Sequence, residues 1–352
     1  MPENAQSAGG RSGEGRVVAS NREIEALRPA RNRVDPERPY HFLHEQEPGP
    51  SGRIEAVNTL FLTGKECSFK CLMCDLWKNT LTGPTPAGAI VRQIDYALAR
   101  LPAAETIKLY NNGNFFDPKA VPFSDHAAIQ ERVRGYRRVV VENHPLLVGD
   151  ACLRFRDGLS GLLEVAMGLE TIHPRALPAL NKQLTPEAFR RAAGFLTSHG
   201  IRVRAFVLLN PPYVTDVHEG IRSAVETVRF AFESGVHTCS IIATRPGNGI
   251  METLLAAGDY VPPTLAALEA VFAEALGLAR SFSGADAPGN VSSFDADADT
   301  RQRRMVFVDT WDIGFLSSCP RCFVARQARL EKMNLDQTIH QPIACSCLTE
   351  HV

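Results

Sequence analysis

Short apolar segments of strand length alternate with longer segments of helical periodicity along most of this chain, and this alternation constrains its fold most. A strand that reaches the next strand through a helix favours parallel pairing by right-handed crossovers. The clearest helices are residues 186–198, with Thr185 as N-cap, and residues 220–233. The predicted strands are residues 56–62, 106–110, 138–142, 163–168, 203–209 and 238–243, with one more at 305–308. The pattern predicts an α/β fold with either an open doubly wound sheet or a barrel.

Composition excludes several classes of protein. The chain has 352 residues, of which 44% are hydrophobic and 22% charged, so a substantial core can form. The 38 Lys and Arg residues balance 39 Asp and Glu residues, and therefore no global charge favours nucleic acid or an anionic membrane. Residues 1–16 lack the apolar region of a signal peptide, and we find no apolar run of membrane-spanning length. We therefore expect a cytoplasmic protein without membrane contact.

Seven of the nine cysteines fall into two groups, while Cys152 and Cys239 stand alone. The first group, Cys67, Cys71 and Cys74, follows the first predicted strand. A closed structural zinc site needs four ligands, and no histidine lies in this loop. A [4Fe-4S] cluster on three cysteines leaves one iron open to a substrate or cofactor. Clustered cysteines in a reducing compartment indicate metal ligands or catalytic thiols.

This cysteine spacing resembles the cluster loop of the radical S-adenosylmethionine (radical SAM) superfamily. The resemblance covers residues 56–263 and is most specific in the runs 168–171, 180–182, 199–201 and 205–209. These runs are similar to the branch with the elongator catalytic subunit, coproporphyrinogen dehydrogenases and tRNA methylthiotransferases. Residues 258–263 resemble archaeosine-synthase-like radical enzymes. One departure is Met73, where many members have an aromatic residue.

The resemblance implies a partial (β/α)6 TIM-type barrel with a C-terminal cysteine-rich extension. It implies that the methionine end of S-adenosylmethionine binds the open iron, and that reductive cleavage gives a 5′-deoxyadenosyl radical that abstracts hydrogen from a substrate, with a tRNA base as a candidate. An electron donor such as ferredoxin or flavodoxin is then required. The implied divisions are a flexible arm at 1–45, the barrel at 46–282, a linker at 283–300 and the extension at 301–352.

In such barrels the functional residues lie where strands end. By the resemblance, cofactor-binding positions are Asn112, Gly113, Glu142, Glu170 and Arg204. A plain turn is the alternative explanation for the first two, because Asn and Gly tolerate left-handed backbone. Glu170 could instead cap a helix or form a salt bridge, and the other two could form ion pairs in the barrel wall.

The second group consists of Cys319, Cys322, Cys345 and Cys347, located after the barrel. A structural zinc would attach the C-terminal tail to the domain, whereas an auxiliary iron-sulfur cluster could relay electrons or bind substrate. A site without metal is the third alternative. For the whole chain, the alternative to a radical enzyme is an iron-sulfur or zinc-binding protein that acts as a carrier or scaffold without cleaving S-adenosylmethionine.

Overall fold

The computed structural model describes residues 19–283 and 303–348. Its single eight-stranded sheet has the strands in chain order, with β1 antiparallel to β2 and all later neighbours parallel. The strands are β1 His41–Pro48, β2 Ile54–Phe61, β3 Thr106–Tyr110, β4 Arg138–Glu142, β5 Leu162–Glu170, β6 Arg202–Leu209, β7 Thr238–Ala243 and β8 Met305–Val308.

Helices connect successive parallel strands, as the sequence pattern predicts. The helices of the described residues are α1 Asn21–Ala26, which precedes β1, then α2 Ala89–Leu98, α3 His126–Arg132, α4 Asp150–Asp157, α5 Ala176–Ala179, α6 Pro186–Ser198, α7 Val217–Glu233, α8 Ile250–Ala256 and α9 Leu265–Phe282, and α10 Pro320–Asp336, which follows β8. The Thr185 side chain caps α6 by accepting a hydrogen bond from the Ala188 amide at 3.2 Å. None of the helices in the described part of the chain is long and apolar enough to cross a membrane.

The sheet is so strongly curved that side chains of strands that are not neighbours contact each other across its inner face. The rings of Tyr110 on β3 and Phe206 on β6 have centroids 6.3 Å apart, although β4 and β5 lie between their strands. Likewise, Arg204 on β6 reaches Glu47 on β1 at 3.5 Å. The sheet therefore encloses a lumen with helices outside, and the predicted α/β partial barrel is confirmed. Helix α10, in the cysteine-rich extension, packs against β1 and β8 at the two edges of the sheet.

The two faces of the sheet differ in chemistry. Outward side chains such as Val139, Val165 and Val203 belong to the main apolar core. Inward side chains near the strand starts are charged: fully buried Glu164 lies 2.8 Å from Arg204 and 3.2 Å from Arg138. Buried charges are tolerated only when they are paired. This ion network fills the lower lumen, so a ligand site has room only near the carboxyl ends of the strands.

The N-terminal part differs from the expected flexible arm. Residues 21–26 form α1, with Ser20 as its cap, and residues 41–45 form more than half of β1. Strand β1 is ordered because it pairs along its full length with β2. Residues 1–18 and 284–302 lie outside the described residues, including most of the expected linker.

Candidate cofactor site at the carboxyl ends of the strands

The loop with the first cysteine group follows β2 and is fixed by hydrogen bonds with two other segments. The Leu72 amide donates to the Leu180 carbonyl at 2.9 Å, and Asn248 Nδ2 donates to the Leu72 carbonyl at 2.8 Å. Asn181 Nδ2 donates to the Lys70 carbonyl at 2.8 Å. These contacts hold an irregular loop in one shape because its buried polar backbone groups have defined partners.

An apolar cluster beneath the loop fixes its depth. Leu72 is fully buried, and partly buried Met73 packs against the same cluster. The other buried members come from α1, α8 and the segment after α8: Ile24, Ile250, Met251, Leu254 and Tyr260. The residue before the third cysteine therefore contributes to packing of the loop, which accounts for an aliphatic side chain at position 73.

Aromatic and charged contacts complete the support of the loop. The Phe69 ring stacks on His144 with centroids 3.7 Å apart, and Trp77 Nε1 donates to the Cys74 carbonyl at 3.1 Å. Glu66 forms ion pairs with Arg28, Arg31 and Lys70. These three cations and the burial of Glu66 have opposite effects, and the pKa of the carboxyl is lowered to about 2. Thus the chain before β1 helps to hold the cysteine loop.

The three thiols lie in a largely water-excluded environment. Cys71 is buried, while Cys67 and Cys74 are half-buried. Burial raises the pKa of Cys71 to about 11, against the opposing charge of Lys182, and burial also raises the pKa of Cys74. Without a bound cation Cys71 and Cys74 keep their protons at neutral pH, whereas a coordinated metal would deprotonate them.

A polar group is already directed at one of these sulfur atoms. Asn114 Nδ2 donates to Cys67 Sγ at 3.2 Å, while its Oδ1 accepts the amide hydrogen of His144 at 2.7 Å. The second bond fixes the orientation of the amide, so the donor remains on the sulfur side. Such hydrogen bonds tune the potential of thiolate-bound clusters.

Glu170 forms a buried ion pair with Lys182 beside the cysteine loop. The distance between Oε1 and Nζ is 2.8 Å, and both side chains are more than nine-tenths buried. Burial opposes the charge on Lys182, but the nearby Glu170 carboxylate and Cys71 thiol raise the pKa of the ammonium above its ordinary value. Glu170 itself has a left-handed φ of 66° at an irregularity in the β5–β6 pairing. Glu170 therefore forms a salt bridge, which was the alternative to cofactor binding. The Glu170–Lys182 pair is near Cys71 and Cys67.

The end of β3 presents polar atoms without partners. Asn112 has a left-handed φ of 51°, and its Oδ1 accepts a hydrogen bond from Tyr40 at 2.9 Å. Within the described residues, Asn112 Nδ2 and the side-chain amide of Asn111 are buried and lack hydrogen-bond partners. A Cβ on Gly113 would lie 3.2 Å from the Lys65 carbonyl oxygen, so the turn approaches the cysteine loop closely. Buried amides without partners are suited to bind the polar groups of a ligand.

Glu142 and Arg204 occupy different levels of the barrel. Glu142, at the end of β4, accepts the Asn111 amide hydrogen at 3.0 Å, and burial raises its pKa to about 7 despite this bond. Arg204 lies nearer the start of β6 than Val207, the residue of that strand that pairs with Glu170. The Arg204 guanidinium belongs to the ion network in the lower lumen. The structure thus places Glu142 with the strand-end groups and Arg204 in the wall network.

The second cysteine group forms a compact cluster of four thiols. Cys319 Sγ lies 3.8 Å from Cys345 Sγ, and Cys322 Sγ lies 3.6 Å from Cys347 Sγ. All four sulfur atoms are within 4.8 Å of one another.

Sequence reasoning did not identify Lys182 and Asn114 as site residues. Lys182 lies in the run 180–182 that carries part of the resemblance, and Asn114 directly follows Gly113. A buried lysine or a sulfur-directed amide has no sequence pattern of its own, because each depends on a partner far along the chain. Lys182 adjoins a loop more than 100 positions earlier, which only the fold reveals.

No protein-family model matches the sequence. Two curated relatives are each 24% identical: an uncharacterized protein of Methanocaldococcus jannaschii, over 59% of this chain and 61% of the relative, and the archaeosine synthase subunit beta of Methanosarcina acetivorans, over 55% and 58%. The chain thus matches about three fifths of the length of these relatives.

Similar solved structures include methylornithine synthase, at 15% identity and a TM-score of 0.47 over 78% of this chain and 82% of that one. Another is coproporphyrinogen III oxidase from Escherichia coli, described as a radical SAM enzyme, at 15% identity and a TM-score of 0.40 over 70% and 52%.

Proposed function

We propose that this protein is a radical SAM enzyme whose [4Fe-4S] cluster is held by Cys67, Cys71 and Cys74. The observation that carries the proposal is the position of these three thiols in one pinned loop at the carboxyl ends of parallel strands, beside unpartnered buried amides. Three cysteine ligands would leave one iron of a [4Fe-4S] cluster without a protein ligand, and that iron could bind a cofactor. When bound, the reduced cluster supplies the electron that cleaves S-adenosylmethionine and so generates the radical that abstracts hydrogen.

The residues around the loop have defined tasks in this proposal. Asn114 donates to the Cys67 sulfur and stabilises its thiolate form. Lys182 supplies a positive charge beside Cys71, and Glu170 holds that ammonium in place. The apolar contacts of Leu72 and Met73 keep water away from one side of the loop.

The strand ends provide groups for the methionine part of S-adenosylmethionine. A carboxylate can accept from the Asn112 Nδ2 group, which has no other partner in the described residues. An ammonium can donate to Glu142, whose raised pKa would fall once a cation lies beside it. Gly113 keeps this corner free of a side chain close to the loop.

We further propose a tRNA base as substrate and a ferredoxin or flavodoxin as electron donor. The similarity to the archaeosine synthase subunit beta supports the choice of tRNA. The half-buried rings of Tyr110 and Phe206 in the lumen offer flat surfaces of the kind on which nucleobases stack. The choice of tRNA is tested separately by measuring 5′-deoxyadenosine release with and without tRNA. We expect tRNA to increase the rate and ribonuclease digestion to abolish the increase. No response to intact tRNA would contradict the substrate and leave the radical chemistry standing.

Anaerobic reconstitution followed by dithionite and S-adenosylmethionine tests the enzymatic activity. We expect 5′-deoxyadenosine and methionine from the native chain. Cys71→Ala should lose the cluster absorbance and both products, whereas Cys152→Ala, which removes a buried core cysteine, should keep them. An intact cluster that yields no 5′-deoxyadenosine would favour an electron carrier instead. Unchanged iron content in Cys71→Ala would refute the ligand assignment.

A further inference from the structure

The C-terminal extension brings four thiols together from two distant chain segments. Cys319 is the N-cap of α10 and Cys322 lies in its first turn, whereas Cys345 and Cys347 come from the tail after the helix. The four cysteines are free thiols, and the two closest sulfur pairs, at 3.6 and 3.8 Å, are too far apart for disulfides.

These distances match one tetrahedral metal ion. A zinc ion with four thiolates at about 2.3 Å places the sulfur atoms about 3.8 Å from one another. A [4Fe-4S] cluster binds each cysteine through a different iron and therefore spreads the sulfur atoms farther apart. Because all four sulfur atoms lie within 4.8 Å of one another, the set has the dimensions of a mononuclear site.

Four thiolates and one divalent cation would together carry a net negative charge, and positively charged groups near the four cysteines compensate it. The Arg321 guanidinium interacts electrostatically with Cys319, Cys345 and Cys347, and it donates to Ser346 Oγ at 3.0 Å. The Arg326 guanidinium interacts electrostatically with Cys322 and pairs with Glu269 on α9. The positive end of α10 also faces the thiols of its first turn. Two guanidinium groups and a helix N-terminus thus favour an anionic metal centre here.

We infer that Cys319, Cys322, Cys345 and Cys347 bind a single zinc ion in a closed, structural site. Four protein thiolates leave no open position for a substrate, so the ion has no catalytic role. Its task is to fix the tail against the start of α10, the helix that packs on both edge strands of the barrel. Arg329 supports the same arrangement by donating to the His340 carbonyl at 2.7 Å and pairing with Glu269 at 3.1 Å. This inference does not depend on the proposed radical chemistry.

Metal analysis of the full chain, with native mass spectrometry, tests the site. We expect about one zinc per chain in the native protein and in Cys71→Ala, which lacks a ligand of the first group. The double variant Cys345→Ala/Cys347→Ala should lose the zinc and keep iron at the first group. The matched double variant Cys152→Ala/Cys239→Ala removes two buried cysteines outside both groups and should keep both metals. Zinc content that is unchanged in Cys345→Ala/Cys347→Ala would overturn the inference.

Cobalt substitution provides a readout that needs no variant. After zinc is removed from the native chain with a chelator, one equivalent of Co²⁺ should give the intense absorption of a tetrahedral tetrathiolate centre. A weak, octahedral-type spectrum would overturn the site. Iron and sulfide that persist in Cys71→Ala and vanish in Cys345→Ala/Cys347→Ala would instead establish an auxiliary cluster and likewise overturn it.

Discussion

The ammonium nitrogen of Lys182 lies 2.8 Å from a carboxylate oxygen of Glu170, and this buried pair adjoins the thiols of Cys71 and Cys67. Both side chains are more than nine-tenths buried, so each charge depends on the other. The pair therefore places one positive charge permanently beside a group of thiols that become negative when they bind metal.

Removal of the lysine should affect both stability and iron binding. Lys182→Met leaves Glu170 charged and unpaired in a buried position, which should lower the free energy of unfolding by about 3 kcal/mol. Reconstituted protein should also retain less iron, because Cys71 loses its neighbouring cation. Chemical denaturation and iron analysis measure the two effects. Lys332→Met, at an exposed ion pair, is the control and should change neither quantity.

A variant that shifts the Glu170–Lys182 pair but keeps both charges tests whether the position of the pair matters for activity. A Cβ on Gly168 would collide with the Glu170 carboxylate and the Lys182 ammonium. Both are ends of flexible side chains, so Gly168→Ala should fold but shift the pair and reduce S-adenosylmethionine cleavage. Gly194→Ala, in α6 with open space around it, should gain about 1 kcal/mol of stability and retain full activity. Equal activity of the two variants would contradict a role for the pair's position.

The buried carboxyl of Glu142 should make stability depend on pH. Burial raises its pKa from 4.5 to about 7, so between these values the folded chain holds a proton that the unfolded chain has lost. The contribution of Glu142 to the free energy of unfolding therefore falls as the pH rises through this range. Glu142→Gln should match the native chain near pH 4.5 and exceed its melting temperature near pH 8. The same difference in melting temperature between Glu142→Gln and the native chain at both pH values would show that ionisation of Glu142 does not destabilise the fold.

The ion network in the lower lumen should be essential for folding. Burial would raise the pKa of Glu164, but the guanidinium groups of Arg204, Arg138 and Arg202 hold it well below its usual range. Glu164→Gln leaves these cations without their shared carboxylate and should cost about 3 to 5 kcal/mol, measured by denaturant unfolding. Glu131→Gln, at an exposed pair with Arg134, should cost less than about 1 kcal/mol. A similar loss in both variants would contradict the importance of burial.

The sequence by itself determined the order and type of the parallel strands. The bounds of β3, β4, β7 and β8 agree with those expected from apolar runs, because their outward side chains enter the continuous helix-covered core. The three-cysteine loop after β2 and the helix Pro186–Ser198 could also be predicted from the sequence, because cysteine spacing defines the loop and a capping residue defines the start of the helix.

Only the tertiary structure revealed β1 and the partners in the lumen. Strand β1 carries Glu45 and Glu47, which an isolated strand would expose to water, and both face Lys108 on β3. Its polar sequence therefore lacks apolar alternation. Arg204 could be assigned to the ion network, and Lys182 to the cysteine loop, only from the curled sheet of the folded chain. The sequence specifies where strands and ligands occur, whereas the pairing of buried charges depends on contacts between distant segments.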